Sequence, residues 1–264
     1  MVKMDVTGKV ALVTGGGGDI GAACCEVFAK GGAKVAVTDI LQERVDAVVD
    51  RINKANPGSA KGYLLNVADA DEVTNVFAQV VADLGEVDIL VAAAGHGGEN
   101  ADFFKATPEE ARSIYEVNII GTQLCIKAAA KHMLPKKEGK IIIISSISAR
   151  LGPMSLVNYG GSKAALLSLT QSCAQIMAKD NINVNAICPG FLRTNMWERG
   201  LERLSKAWNM TKDEVWQKVA LDKTPLGRAQ ECEDVAHLAL FLASPLGVNI
   251  TGQAINVDGG VRMN

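Results

Sequence analysis

The chain has 264 residues, of which 48% are hydrophobic and 21% charged, and its formal net charge is −2. This composition is typical of a globular protein with enough apolar material for one large core. A net charge near zero argues against a nucleic-acid-binding surface. The apolar runs are shorter than the roughly 20 residues that span a bilayer. We therefore expect no nucleic-acid partner and no membrane association.

The first residues and the cysteines favour a cytoplasmic protein. MVKMDVTGKV lacks the charged and then apolar pattern of a secretion signal. The cysteines show neither a Cys-x-x-Cys pair nor the spacing of metal ligands, so they predict buried free thiols and no metal site. They are Cys24, Cys25, Cys125, Cys173, Cys188 and Cys232.

Short apolar runs alternate with longer amphipathic segments along the chain. The runs show little polar alternation, which is typical of a parallel sheet buried on both faces, and the intervening helices predict right-handed crossovers. The predicted strands are 10–14, 34–39, 62–66, 87–93, 140–145, 183–187 and 253–257. The predicted helices are 20–30, 42–55, 71–84, 108–133, 155–178 and 232–243. The sequence therefore predicts an α/β fold: a single doubly wound (Rossmann) domain over 1–264 with helices on both faces of the sheet.

An insertion at about 191–223 interrupts this alternation. It contains two predicted short helices, about 194–207 and 211–221, and Thr211 and Glu214 have the spacing of a capping box. All three tryptophans of the protein lie in it. The insertion can be a small separate core, a lid over a substrate site, or both.

The stretch LVTGGGGDIG, residues 12–21, follows the first predicted strand and opens the first helix. This is the context of a dinucleotide-binding turn, because glycines let the backbone approach a pyrophosphate and the helix N-terminus offers free N–H groups. Asp39 ends the second strand, 18 residues beyond Gly21. A carboxylate there accepts hydrogen bonds from the ribose of NAD and repels the additional phosphate of NADP. Thr38 and Ile40 beside it are uncharged, so the sequence predicts NAD as the cofactor.

A second motif predicts acid–base chemistry. Tyr159 and Lys163 are four residues apart in a helical pattern and therefore share one face. Ser146 lies thirteen residues before Tyr159, at a strand end, where α/β sheets bind their ligands. Because a nearby ammonium favours the phenolate, we expect Lys163 to lower the pKa of Tyr159 toward neutrality and make it a usable base.

Together these motifs resemble the short-chain dehydrogenase/reductase family over essentially the whole chain. Thr14, Gly15 and Gly21 match its glycine motif. The resemblance implies a catalytic set of Asn118, Ser146, Tyr159 and Lys163, in which Asn118 holds a water that relays protons to Lys163. It also implies a homotetramer, since family members are usually tetramers and occasionally dimers. The resemblance, together with the glycine-rich turn and Asp39, predicts a set of cofactor-binding residues. They are Gly15, Gly18, Asp19, Ile20, Asp39, Ile40, Asn66, Val67, Ala93, Gly95, Tyr159, Lys163, Pro189, Gly190 and Thr194.

The chain departs from the family pattern at three places. Asp19 replaces a motif glycine; because aspartate is a good N-cap residue, we expect it to cap the first helix and not to face the pyrophosphate. Ala92 and Ala93 stand where the family has asparagines, although Gly95 keeps the close approach to the cofactor. Asn66 replaces an aspartate, and its amide can still contact adenine. We expect cofactor binding to survive these departures.

Four residues are candidate substrate contacts: His96, Ser148, Arg193 and Trp197. His96 directly follows Gly95. Arg193, with Arg199 and Arg203, could bind an anionic group of a substrate. Met196 and Trp197 are expected to pack in the core of the insertion more than to form a wall of the substrate site.

The preferred interpretation is an NAD-dependent dehydrogenase that interconverts a secondary alcohol and a ketone. The long insertion and the ending TGQAINVDGGVRMN resemble bacterial polyol and sugar-alcohol dehydrogenases, so the expected substrate is a polyol, a sugar alcohol or its phosphate, or a small diol. One alternative is a 3-oxoacyl thioester reductase, which has the same catalytic set but mostly uses NADPH, against which Asp39 argues. Another is a catalytically idle dinucleotide-binding regulator, against which Tyr159 and Lys163 argue.

Overall fold

The predicted strands form one parallel sheet. A computed structural model describes residues 4–98, 102–152 and 156–263. The sheet has seven strands in the order β3-β2-β1-β4-β5-β6-β7, and every neighbouring pair is parallel. The strands are β1 (Val10–Thr14), β2 (Lys34–Asp39), β3 (Ala60–Leu64), β4 (Ile89–Ala92), β5 (Gly139–Ile144), β6 (Ile182–Pro189) and β7 (Ala254–Val257). The predicted α/β fold is confirmed.

Helices connect these strands and cover both faces of the sheet. They are α1 (Asp19–Lys30), α2 (Gln42–Ala55), α3 (Ala70–Leu84), α4 (Pro108–Tyr115), α5 (Thr122–Lys136), α6 (Ser148–Leu151), α7 (Val157–Met177), α8 (Asn195–Trp208), α9 (Lys212–Val219) and α10 (Cys232–Ala243). None of the helices in the described part of the chain is long and apolar enough to cross a membrane.

The alternation of side chains along each strand explains why the strands are apolar throughout. On β1, Ala11 and Val13 join one core layer, and Val10 and Leu12 join the other. Helices α1, α2 and α10 cover the first layer, whereas α3, α5 and α7 cover the second. Both faces of the sheet are therefore buried, as the sequence predicted.

The predicted helix over 108–133 is interrupted. A π-helical stretch, Glu116–Gly121, separates α4 from α5. A Cβ atom added at Gly121 would lie 2.7 Å from Cγ2 of Val67, so the missing side chain lets this stretch pack closely against the segment after β3. Such stretches are frequent at functional sites, and this one contains Asn118. The predicted helix 155–178 begins at Val157, and Ser155 lies outside the described residues.

The insertion contains the two predicted helices, α8 and α9. The Thr211–Glu214 capping box is confirmed at the start of α9. A small separate core holds the insertion together, and it contains Leu201, Val215, Trp216 and Ala220.

The sheet order places a ligand crevice between β1 and β4. These neighbouring strands are followed by connections that run to opposite sides of the sheet, β1 toward β2 and β4 toward β5. In doubly wound sheets, ligands bind outside the carboxyl ends of the strands at this switch point. The glycine-rich turn follows β1 there, and Gly95 follows β4.

Candidate active site

The glycine-rich turn is packed so closely that it tolerates no side chains at two positions. Gly15 has a φ of +63°, and a Cβ atom there would lie 2.8 Å from the backbone of Ala94. A Cβ atom at Gly21 would overlap the carbonyl oxygen of Gly15. The turn leads into the N-terminus of α1, which begins after Gly18. This bare backbone next to free helix N–H groups fits a dinucleotide pyrophosphate.

The expectation that Asp19 caps α1 is wrong. The N-cap residue is Gly18, and α1 has no side-chain cap. Asp19 is already the first helical residue, one position past the cap. Its carboxylate instead accepts two hydrogen bonds from Asn195, one from the backbone N and one from Nδ2, both at 3.0 Å. Asp19 therefore joins the glycine-rich turn to the start of α8.

The carboxylate of Asp39 is held at the rim of the same turn. Asp39 is 8% exposed; its Oδ2 accepts a hydrogen bond from Gly17 N at 3.2 Å, and its Oδ1 accepts one from Leu41 N at 3.1 Å. Ile40 beside it is largely exposed. This position is the one that the predicted ribose contact requires, although the contact itself stays a prediction.

Sequence reasoning missed one cation at this rim, Arg44. A Cβ atom added at Gly17 would lie 2.5 Å from Arg44 Cβ and 3.1 Å from the carboxyl carbon of Asp39, so both side chains pack over this glycine. Arg44 also lines the cleft described below. The signal that could have revealed it is its position in the first turn of the helix that follows Asp39.

The remaining predicted cofactor residues lie at the carboxyl ends of other strands. Asn66 Oδ1 accepts a hydrogen bond from Ala68 N at 3.1 Å, and Val67 is buried. Pro189 is the last residue of β6. A Cβ atom at the following Gly190 would lie 2.5 Å from Gln230 Oε1, so that turn is also tightly packed. Ala93 and Gly95 after β4, Ile20 on α1 and Thr194 before α8 line the cleft.

Ser146, Tyr159 and Lys163 converge at the carboxyl end of β5. Ser146 is 9% exposed, and its hydroxyl lies near that of Tyr159, where it favours the ionised form of the phenol. The Nζ atom of Lys163 lies 5.7 Å from the ring centroid of Tyr159 and donates a hydrogen bond to the carbonyl of Ile144 at 2.8 Å. The predicted strand end and helix face thus bring the three side chains together.

Burial dominates the protonation of this group. It raises the pKa of Tyr159 above its ordinary value, and the hydroxyl of Ser146 acts in the opposite direction. It also lowers the pKa of Lys163 to about 8. The predicted lowering of the tyrosine pKa is therefore wrong for the polypeptide by itself, because removing the phenolate from water outweighs the stabilising contacts.

Asn118 is fully buried and adjoins this group. Its Oδ1 accepts a hydrogen bond from His96 N at 2.9 Å, and its Nδ2 donates to the carbonyl of His96 at 3.0 Å and to Ser162 Oγ at 2.9 Å. A Cβ atom at Gly95 would lie 3.0 Å from Asn118 Oδ1 and 3.4 Å from Lys163 Nζ. Because the amide of Asn118 is used by protein groups, it positions the loop after β4; the water relay stays a prediction.

A cleft of about 980 Å³ extends from the glycine-rich turn to α8. One wall of the cleft begins after Gly95 and is formed mainly by the loop after β4 and the start of α4. Its polar residues are His96, Thr107, Glu109, Glu110 and Ser113. The opposite wall is the face of α8 that carries Asn195, Met196, Gly200 and Arg203.

The predicted substrate residues differ in their surroundings. His96 lines the cleft, and its Nε2 lies 3.3 Å from Ser113 Oγ. Ser148 begins α6, and its backbone N donates to Ser146 Oγ at 3.1 Å. The guanidinium of Arg193 is bound by Glu198 and Asp213, each at 2.7 Å, and thereby links α8 to α9.

Two neighbouring residues of α8 have different roles. Trp197 packs edge-to-face against Phe191 and Trp216, with ring centroids 5.6 and 5.4 Å apart. It therefore belongs to the core of the insertion, as expected. Met196, in contrast, is exposed and lines the cleft, so the expectation that it packs in this core is wrong.

The fold and this site define a class of protein. A glycine-rich turn at the switch point of a parallel sheet, with a buried serine, tyrosine and lysine at an adjacent strand end, is the arrangement of a dinucleotide-dependent oxidoreductase. Within the described residues, no group of three or more histidine, cysteine, aspartate or glutamate side chains could hold a metal ion.

Comparison with known proteins agrees with this class. A family model described as enoyl-(acyl carrier protein) reductase matches residues 17–262. The chain belongs to the short-chain dehydrogenase/reductase family, whose members bind a nicotinamide dinucleotide. The 3-oxoacyl-[acyl-carrier-protein] reductase FabG of Thermotoga maritima is 34% identical over 98% of this chain and 99% of its own. A 3alpha-hydroxysteroid dehydrogenase of Mediterraneibacter gnavus is 36% identical over 98% and 99%.

Two solved structures are similar throughout. Sorbitol-6-phosphate 2-dehydrogenase SrlD from Erwinia amylovora superposes with a TM-score of 0.90 at 32% identity and covers 96% of this chain and 100% of its own. L-sorbose reductase from Gluconobacter frateurii, complexed with NADPH and L-sorbose, has a TM-score of 0.93 at 29% identity and covers 100% of both chains.

Proposed function

We propose that the protein is an NAD-dependent dehydrogenase that interconverts a secondary alcohol and a ketone on a polyol, a sugar alcohol or its phosphate, or a small diol. The observation that carries this proposal is the polar wall of the cleft beyond Gly95. His96 and Ser113 form a linked pair of hydrogen-bonding groups on this wall, beside the hydroxyl of Thr107. Several donors and acceptors on one wall suit a substrate with several hydroxyl groups, because each buried hydroxyl needs a partner.

In this mechanism, Tyr159 accepts the proton of the substrate hydroxyl and Ser146 hydrogen-bonds to the reacting oxygen. Bound NAD supplies the hydride acceptor, so the carbon loses a hydride and the oxygen a proton, and the alcohol becomes a ketone. The raised pKa of Tyr159 must fall for this step. The ammonium of Lys163 favours the phenolate, because a positive charge nearby stabilises the ionised form. Lys163 also binds the nicotinamide ribose in this proposal.

Asp39 supports the preference for NAD. Its carboxylate lies at the end of β2, beside Gly17, where a second ribose phosphate would meet a negative charge. The positive charge of Arg44 at the same rim attracts either cofactor. It therefore reduces the difference in binding affinity between NAD and NADP. Direct titration of NADH and NADPH by nicotinamide fluorescence tests this preference; tighter binding of NADPH would contradict it.

A 3-oxoacyl thioester reductase is the second candidate. The FabG of Thermotoga maritima, identical at 34% of positions over nearly the whole chain, favours it. The hydroxylated sugars in the names of the two structural neighbours favour the first candidate. A catalytically idle regulator is the least favoured, since Ser146, Tyr159 and Lys163 are all present and adjacent.

One experiment separates these functions. Purified protein is mixed with NAD or NADP and a panel of polyols, sugar alcohols and their phosphates. In a parallel reaction, it is mixed with NADH or NADPH and an acetoacetyl thioester, and reduced-cofactor absorbance is followed. Polyol oxidation with NAD is expected, and Tyr159→Phe should remove it. Faster thioester reduction would favour the second candidate, and binding without turnover the regulator.

The assembly state and the location in the cell also belong to this proposal. We propose a cytoplasmic homotetramer, as the family resemblance implies. The six cysteines are all free thiols, which fits a reducing compartment. Size-exclusion chromatography with light scattering tests the tetramer.

A further inference from the structure

One contact joins the cofactor turn to the insertion across 176 residues of sequence. The two oxygens of Asp19 each accept a hydrogen bond at 3.0 Å from Asn195, the first residue of α8. One donor is the backbone N of Asn195 and the other is its side-chain Nδ2. The interaction is therefore bidentate, and it fixes the orientation of the glycine-rich turn relative to the start of α8.

The start of α8 has no cap of its own. Its N-cap residue, Thr194, makes no side-chain hydrogen bond to the helix, whereas the neighbouring α9 has a complete capping box. The first N–H groups of a helix lack partners within it, and the N-terminus carries a partial positive charge. The carboxylate of Asp19 supplies both a partner and a negative charge. Asp19 thus caps α8 from another element.

The segment held in this way forms one wall of the cleft. Met196, Gly200 and Arg203 lie four and three residues apart, so they share one face of α8, and all three line the cleft. Met196 Sδ and the ring of Tyr159 both approach Gly97, at 3.4 and 4.0 Å from the position of an added Cβ atom. The first turn of α8 therefore lies close to the catalytic tyrosine.

We propose that Asp19 is a positioning residue for the substrate. By capping α8 from the glycine-rich turn, it fixes the start of the wall that carries Met196 and Arg203, and Met196 lies close to Tyr159. The element that contacts the cofactor then also sets the position of the substrate wall. This accounts for an aspartate at a motif position that otherwise carries glycine. The substrate measurement below rests on the proposed function; the exchange measurement does not.

Hydrogen–deuterium exchange of α8 tests the cap directly. In Asp19→Gly, the amides of the first turn of α8 should exchange about tenfold faster, as expected for loss of a charged cap. Asn195→Ala keeps the backbone donor and should accelerate exchange only about threefold. In the double variant, the same amides should exchange no faster than in Asp19→Gly alone, because both changes remove the same interaction. Asp19→Asn keeps one acceptor oxygen but neither the second acceptor nor the charge, so it should restore only part of the protection.

Asp69→Gly is the matched control. Asp69 caps α3 through hydrogen bonds to the backbone N–H groups of Asp71 and Glu72, and it does not line the cleft. This variant should accelerate exchange at the start of α3 and leave α8 unchanged. An Asp19→Gly protein whose α8 exchanges like the wild type would overturn the proposal.

Steady-state kinetics test the positioning role, with the substrate that the panel identifies. Asp19→Gly should raise KM for the alcohol about fivefold and leave kcat within about twofold, since the cap affects the wall and not the proton acceptor. Asp19→Asn, which keeps one acceptor oxygen, should give a KM between those of the wild type and Asp19→Gly. Faster α8 exchange with an unchanged KM, or a loss confined to kcat, would overturn the positioning role. If the panel contains no substrate, the proposed function fails, and the exchange result still decides whether Asp19 holds α8.

Discussion

Replacing Lys163 with methionine should change how the stability of the protein depends on pH. Lys163 is 4% exposed, and burial lowers its pKa from 10.5 to about 8. Methionine has a similar length and no charge, so it can fill the same space without the cost of burying an ammonium. The hydrogen bond to the carbonyl of Ile144 is lost at every pH, so it does not affect the pH dependence.

The direction of this pH dependence follows from the pKa of Lys163 in the folded protein and in the unfolded chain. Between about pH 8 and 10.5, the unfolded chain binds a proton at Lys163 that the folded protein does not. Raising the pH through this range therefore stabilises the wild type, and the stabilisation is lost as the pH falls. At 1.36 kcal/mol per pKa unit, the full difference is about 3 kcal/mol, of which about 2 kcal/mol appears between about pH 7 and 9.5.

Urea denaturation followed by circular dichroism measures this effect. The free energy of unfolding is determined at several pH values for the wild type and Lys163→Met. The wild type should gain about 2 kcal/mol relative to the variant over that range. Lys206→Met, which removes a lysine paired with Glu202 on the surface of α8, is the control and should run parallel to the wild type. A constant difference between wild type and Lys163→Met would refute a lowered pKa at this site.

Four further substitutions test the cofactor site and the chemistry. Tyr159→Phe should lower turnover by about 10²–10⁴-fold while NADH binding measured by fluorescence persists, because the ring still packs but the proton acceptor is gone; a tenth of the wild-type rate would point to another base. Asp39→Ala should reduce the preference for NADH over NADPH, and an unchanged affinity ratio in titrations would show that Asp39 does not set it. Arg44→Ala should weaken the binding of both cofactors, and unchanged affinities would show that Arg44 lies outside the site. Gly21→Ala should abolish NADH binding in the same titration, because its Cβ would overlap the Gly15 carbonyl; retained affinity would show that the turn can open.

Local patterns account for what the sequence predicted well. The bounds of β1, β2, α2 and α10 match those expected, because each is a clear apolar or amphipathic run with a distinct end. The meeting of Tyr159 and Lys163 follows from helical spacing alone, which is a property of the backbone. Ser146 joins them because strand ends of a parallel sheet lie at one edge.

Only the tertiary structure decided the roles of Asp19 and Arg44, the break in the helix around Asn118 and the direction of the tyrosine pKa. Asp19 meets Asn195 because the turn after β1 and the segment after β6 reach the same end of the sheet, and a pair 176 residues apart leaves no local signal. The pKa of Tyr159 depends on how much water the surrounding elements exclude, which spacing in a sequence does not encode. Spacing determined which groups are close together, whereas packing determined their charge and their partners.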